Sequence, residues 1–122
     1  EQAEALYTNK TYDASRDLFL KSLEQKGSNE EHAQAWFGLA RIAALQSQPD
    51  AAVKLFEKAL GGSPDAFTKA WSYVYLGRLA TAGGDPERAA KYYQEALSVK
   101  GGSDKALEAA RKAAQDLDRS KQ

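Results

Sequence analysis

The sequence contains no cysteine and no methionine, one histidine and three prolines, and its charges cancel. Without cysteine there is no disulfide, no thiolate nucleophile and no cysteine-based metal site, and the redox compartment stays open. His32 is the sole histidine, so no second imidazole can join it in a metal site or a relay. The 17 basic residues balance 17 acidic ones. That balance argues against a partner held by bulk electrostatics, such as DNA or an anionic membrane. No run approaches the roughly 18 apolar residues needed to cross a bilayer, so no membrane insertion is expected. No cleavable leader is visible. The chain opens on Glu1 rather than Met, which reads as processing or as a piece of something longer. At 122 residues it suits one domain.

What the sequence does contain is a repeat, with a period of 37 residues. Ser15 aligns with Ala52 and Ala89, Phe19 with Phe56 and Tyr93, Ser22 with Ala59 and Ala96, and Leu23 with Leu60 and Leu97. Each step is 37, since 52 − 15 = 37 and 89 − 52 = 37. The intervening stretches repeat too: Trp36, Leu39, Ala40 and Ala43 recur as Tyr73, Leu76, Gly77 and Ala80, then more faintly as Ala110, Ala113, Ala114 and Leu117. At the start only Ala3 and Leu6 survive.

Both kinds of stretch have helical spacing. Trp36, Leu39, Ala40 and Ala43 fall at i, i+3, i+4 and i+7, as do Val53, Phe56, Ala59 and Leu60 at their own place. No stretch alternates with period two over a strand's length. The spacing predicts seven helices, over about 1–9, 12–26, 30–46, 49–61, 64–82, 86–99 and 104–118. Pro49, Pro64 and Pro86 stand at expected first helical positions, where the missing N–H costs nothing. Asp85 and Ser63 precede two of them as N-caps, and Gln48 precedes the third as a poorer one. Ser28 and Glu31 have capping-box spacing. Gly27, Gly61-Gly62, Gly83-Gly84 and Gly101-Gly102 mark turns.

The pattern Trp36-x2-Leu39-Ala40-x2-Ala43, Ala52-x3-Phe56-x2-Ala59, then Pro64, resembles the tetratricopeptide repeat. The resemblance implies an all-α, right-handed α-solenoid. It would hold about three helix pairs, near 1–26, 30–61 and 64–99, and a capping helix at 104–118. Small residues such as Gly77, Ala89 and Ala96 would let helices approach, with Trp36, Phe56 and Tyr93 filling the gaps. Two departures stand out. The period is 37 residues where about 34 is usual, a spacing similar to that of bacterial cell-envelope members. The first helix lacks the bulky residue and the Leu expected one turn before Ala3, which reads as missing chain upstream.

In this family the first helix of each pair lines a concave, peptide-holding surface. The resemblance places Gln34, Phe37, Arg41, Ala44 and Leu45 there, with Trp71, Val74, Tyr75, Arg78 and Thr81 at the next step. Glu108, Arg111, Lys112 and Gln115 would follow from the last helix, and Glu4, Tyr7 and Thr8 from the first. Phe37 and Trp71 would form an aromatic floor beside Arg41 and Arg78, which repeat at the 37-residue step. Such a floor suits a peptide with apolar anchors and an acidic group. The alternative packs Phe37 and Trp71 between neighbouring helices and leaves the two arginines solvated or paired with carboxylates. The Lys and Asn clamp that some members use for a C-terminal carboxylate is not reproduced. Its places hold Phe37, Arg41, Tyr75, Glu108 and Lys112, or Glu4, Gly38, Trp71 and Tyr75 in the earlier frame.

Other chemistry is sparse. His32 beside Glu30 and Glu31 reads as a solvated residue at a helix start. Gly83-Gly84-Asp85 lacks the Lys-Ser/Thr pair of a phosphate loop. Asp13, Asp50 and Glu87 complement helix dipoles. No nucleophile–base or paired-carboxylate arrangement emerges, so neither an enzyme nor a cofactor is expected. Lys and Arg are scattered, which argues against nucleic acid. The expectation is therefore a non-catalytic scaffold for a protein or peptide partner. The alternative is a structural module that self-associates through its open N-terminal repeat or stacks on upstream repeats. Cytoplasm and bacterial periplasm are both compatible.

Overall fold

The computed structural model of the chain describes residues 12–120. They form six helices: α1 (Tyr12–Glu24), α2 (Asn29–Leu45), α3 (Pro49–Gly61), α4 (Ala66–Ala82), α5 (Pro86–Leu97) and α6 (Asp104–Ser120). No strand occurs among the described residues. The helix expected over 1–9, with Glu4, Tyr7 and Thr8, lies outside them. The chain divides into two compact units: the first runs to Pro64 and holds α1–α3, the second starts at Asp65 and holds α4–α6.

In the first unit the periodic apolar residues go inside. Ala33, Leu39, Ala40 and Ala43 of α2 are buried, as are Ala52, Phe56 and Ala59 of α3. Complete burial of an aromatic such as Phe56 stabilises the fold by roughly 1.5–3 kcal/mol. Trp36 stays half-buried, and the Lys58 ammonium stands 4.5 Å above its ring. On α1 the repeat position Ser15 is fully buried. Phe19 lies against the backbone of α2 at Gly38, where an added Cβ would come within 2.3 Å of the ring.

The second unit repeats this logic on different residues. Val74, Ala89, Tyr93, Ala96, Ala110 and Leu117 form one core cluster. Ala70, Val99 and Ala106 form another. Tyr93 lies against Gly77, where a Cβ would sit 2.4 Å from the ring, and its hydroxyl is 3.4 Å from Thr81 Oγ1. The rings of Tyr73 and Tyr92 are tilted by 32° with centroids 6.5 Å apart. Burial raises the Tyr73 phenol above its ordinary range, with Glu95 and then Tyr92 adding to the effect.

Helix ends follow the punctuation, with one correction. The Ser28–Glu31 capping box forms, with Ser28 Oγ accepting from the Glu31 N–H at 3.0 Å and Glu31 Oε1 accepting from the Ser28 N–H at 3.2 Å. Asp85 Oδ1 accepts from the Arg88 N–H at 3.2 Å. Gln48 makes no side-chain cap bond. The turns after α2 and α4 are the same object. Gln48 N–H donates to Ala43 O and Asp85 N–H to Ala80 O, each at 2.9 Å. Ser47 (φ 59°) and Gly84 (φ 81°) supply the left-handed residue, 37 positions apart. Pro64, however, does not open α4. Ser63 is also left-handed, at φ 57°, whereas an N-cap needs extended backbone. Asp65, at φ −66° and ψ 165°, takes that role, and the helix starts at Ala66.

Candidate partner-binding surface

α4 is apolar nearly all round. Thr68, Ala70, Ser72, Val74, Leu76 and Gly77 are buried. Among the residues left outside, Phe67, Trp71, Tyr75 and Arg78 form one line, at i, i+4, i+8 and i+11, while Lys69, Tyr73, Leu79 and Thr81 are exposed or half-buried elsewhere on the helix. Side chains four apart lie one above another on a helix. The rings of Phe67 and Trp71 accordingly stand 6.5 Å apart, and those of Trp71 and Tyr75 6.1 Å apart. The Arg78 guanidinium lies 5.9 Å from the Trp71 ring and 5.4 Å from that of Tyr75. Phe67 is 53% exposed, while Trp71 and Tyr75 are half-buried. Trp71 does two things at once, since one side of it also packs on both core clusters of the unit. Ring–ring contacts contribute about 0.5–1.5 kcal/mol each, and exposed cation–π contacts about 0.5–1. The ladder is thus held in place by its own contacts.

The residues expected at a binding surface divide accordingly. Trp71, Tyr75 and Arg78 come together on α4. Val74 does not join them; it is fully buried in the core. Phe37, at the same place one repeat earlier, is only 7% exposed and meets Phe56 edge-on at 5.7 Å. Phe37 thus takes the packed alternative, and the expectation of an outward Val74 is corrected: both lie on the inward side of their helix, where the partner helix needs bulk. Arg41 is half-buried, 5.6 Å above the Phe37 ring, and Gln34 is exposed on α2. Arg111 on α6 pairs with Glu108 of its own helix at 2.5 Å. Phe67 is the residue that sequence reasoning missed. Its counterpart one period earlier is the polar Glu30, so the repeat does not flag it. Its i−4 relation to Trp71 was the available signal.

The first unit also holds a cleft of about 340 Å³ lined by Leu20, Trp36, Leu39 and Leu55, among others. Arg16, which also lines it, bonds Gln46 and lies 3.5 Å from Asp13. His32, read as solvated, is half-buried, with Nε2 3.1 Å from the Gln25 carbonyl beyond α1. Among the described residues no group of three or more His, Asp or Glu is placed to hold a metal ion, and no helix is long and apolar enough to cross a membrane.

A comparison with curated proteins returns no match. Two family models do match, both described as tetratricopeptide repeat. One covers residues 1–67 and the other residues 72–120. The alignment runs through the same helix pairs that carry the 37-residue repeat, and on that agreement the chain belongs to the tetratricopeptide repeat family.

Proposed function

We propose that this chain is a non-catalytic scaffold that contacts a protein or peptide partner through the outward face of α4. Tetratricopeptide repeats are generally protein–protein interaction modules and typically act as scaffolds without chemistry of their own. The observation that carries the reading is the ladder Phe67–Trp71–Tyr75 with Arg78 over its end. Large aromatic and guanidinium groups dominate the energetics of protein interfaces. A Phe more than half exposed beside two further rings is unfavourable for a surface with no partner.

Selection of displayed random peptides on the full chain tests this. Phe67→Ser should leave the melting temperature within a few degrees, because the side chain is already exposed. It should also weaken the selected peptides more than tenfold. A selection that yields no binder, or binders indifferent to Phe67→Ser, would sink the reading.

A further inference from the structure

We propose that the cleft of the first unit is a site for a small organic carboxylate. Its ligand has an apolar body, a fused ring or a medium-length alkyl chain, and one carboxylate that meets Arg16. All the lining residues belong to α1, α2, α3 and the turn between the last two, so the site stands independently of the reading of α4. Room, charge and the comparison between repeats each narrow the ligand.

Room sets the size. The cleft holds about 340 Å³, near the lower end of the roughly 300–1,000 Å³ found for small-molecule sites. Six of its eight lining residues are apolar. Leu39 and Ala43 are buried, Trp36 and Leu55 are half-buried, and Leu20 is 42% exposed. The cleft therefore runs from the core of the unit out to its surface. Such walls give a hydrated inorganic anion nothing in exchange for its water. A ligand must bring apolar surface, and the indole of Trp36 with three leucines offers it a large contact.

Charge sets the chemistry. Arg16 is the one ionised residue in the lining. Its Nη2 donates to Gln46 Oε1, and its Nη1 lies 3.5 Å from Asp13 Oδ1. The Gln46 bond holds the guanidinium at the edge of the cleft. The Asp13 side chain is 92% exposed, so that pair is long, solvated and weakly held. A guanidinium carries five N–H donors, and these two partners leave most of them for a ligand. Gln48, the other polar residue of the lining, makes no side-chain cap bond, and its amide N–H groups are donors as well. A carboxylate at this edge accepts charge-assisted hydrogen bonds from Arg16, while its apolar body lies against Trp36 and the leucines.

The repeat does not require any of this. One period after Ala51 and Leu55 stand the larger Arg88 and Tyr92, and one period after Arg16 and Leu20 stand Val53 and Glu57. The Tyr92 ring lies 6.5 Å from that of Tyr73, the counterpart of Trp36. Neither the small residue that leaves room nor the cation at the edge is therefore part of the shared helix-pair pattern.

Chemical-shift titration of the full chain tests this, read at the indole N–H of Trp36. The probes are naphthoate and octanoate, each beside its neutral amide. At least one carboxylate should shift the Trp36 signal saturably and bind at least about fivefold tighter than its amide. Tighter binding of naphthoate assigns the ring, and of octanoate the chain. Arg16→Gln should remove the advantage of the acid. Ala51→Glu should also remove it by repulsion and spare the amide. Ala51 is exposed in the first turn of α3, where a glutamate suits the helix, so this variant keeps the fold and decides alone if Arg16→Gln unfolds. Leu55→Tyr, which copies the next repeat, should weaken acid and amide alike. Equal binding of each acid and its amide overturns the proposal, as does an advantage that survives Ala51→Glu. A shift confined to Trp71, or no saturable shift up to about 1 mM, overturns it too.

Discussion

Two glycines decide how closely helices approach, and they differ in how much room their neighbours have. At Gly77 a methyl group would meet Tyr93, which is 2% exposed and near Thr81. At Gly38 it would meet Phe19, which is only half-buried and can swing outward. Overpacking costs about 1–3 kcal/mol, and Gly→Ala in a helix returns up to about 1 kcal/mol. Gly77→Ala should therefore lower stability by about 1–2 kcal/mol, and Gly38→Ala by less than about 1, both read from urea unfolding. Equal effects would show that Phe19 is as confined as Tyr93. Gly77 was legible in the sequence because it falls in the repeat signature. Gly38 was not, since its counterpart one period later is Tyr75. Ser47 reverses the comparison. It holds a left-handed φ of 59° where the next repeat uses Gly84. Left-handed backbone costs a non-glycine residue about 1–2 kcal/mol, and part of that is offset by the extra chain entropy glycine brings to the unfolded state. Ser47→Gly should raise stability by up to about 1 kcal/mol in the same assay; a loss would mean that the serine side chain does something the turn geometry does not explain.

At the scale of elements, caps set where helices begin. The Ser28–Glu31 box satisfies two backbone donors at the start of α2. Ser28→Ala should cost about 0.5–2 kcal/mol. Gln48→Ala, at a cap that makes no side-chain bond, should stay within about 0.5 kcal/mol. A thermal melt of each variant separates these, and equal shifts would argue that the box contributes nothing. The box and the Asp85 cap were legible because capping depends on side chains a few residues apart. The start of α4 was not. Ser63-Pro64 has the composition of a helix start, but between α3 and α4 Ser63 takes a left-handed φ that an N-cap cannot use. The outward line of α4 lies between these cases. Trp71, Tyr75 and Arg78 follow from the family spacing, whereas Phe67 has no repeated counterpart, and in the sequence only its i−4 relation to Trp71 points to it.

Across the whole molecule the charges are 17 against 17, so net charge supplies no long-range pull on a partner. Binding that uses one exposed guanidinium at Arg78 should weaken by less than about fivefold between 50 and 200 mM salt, since an exposed ion pair contributes at most about 1 kcal/mol. A hundredfold loss in a salt titration of a selected peptide would reveal a wider charged footprint. Helix content, the 37-residue repeat and the small-against-large pairs of the core were determined by the sequence alone. These rest on local periodicity and on volume, and both are carried in residue order. The tertiary structure decided something else. Phe37 and Val74 go inward while Phe67 stays out, although all three are apolar residues of first-in-pair helices. Helical spacing gives the angle of a side chain about its own axis. Whether that angle meets a neighbour or water depends on where the next helix packs, and no single helix encodes that.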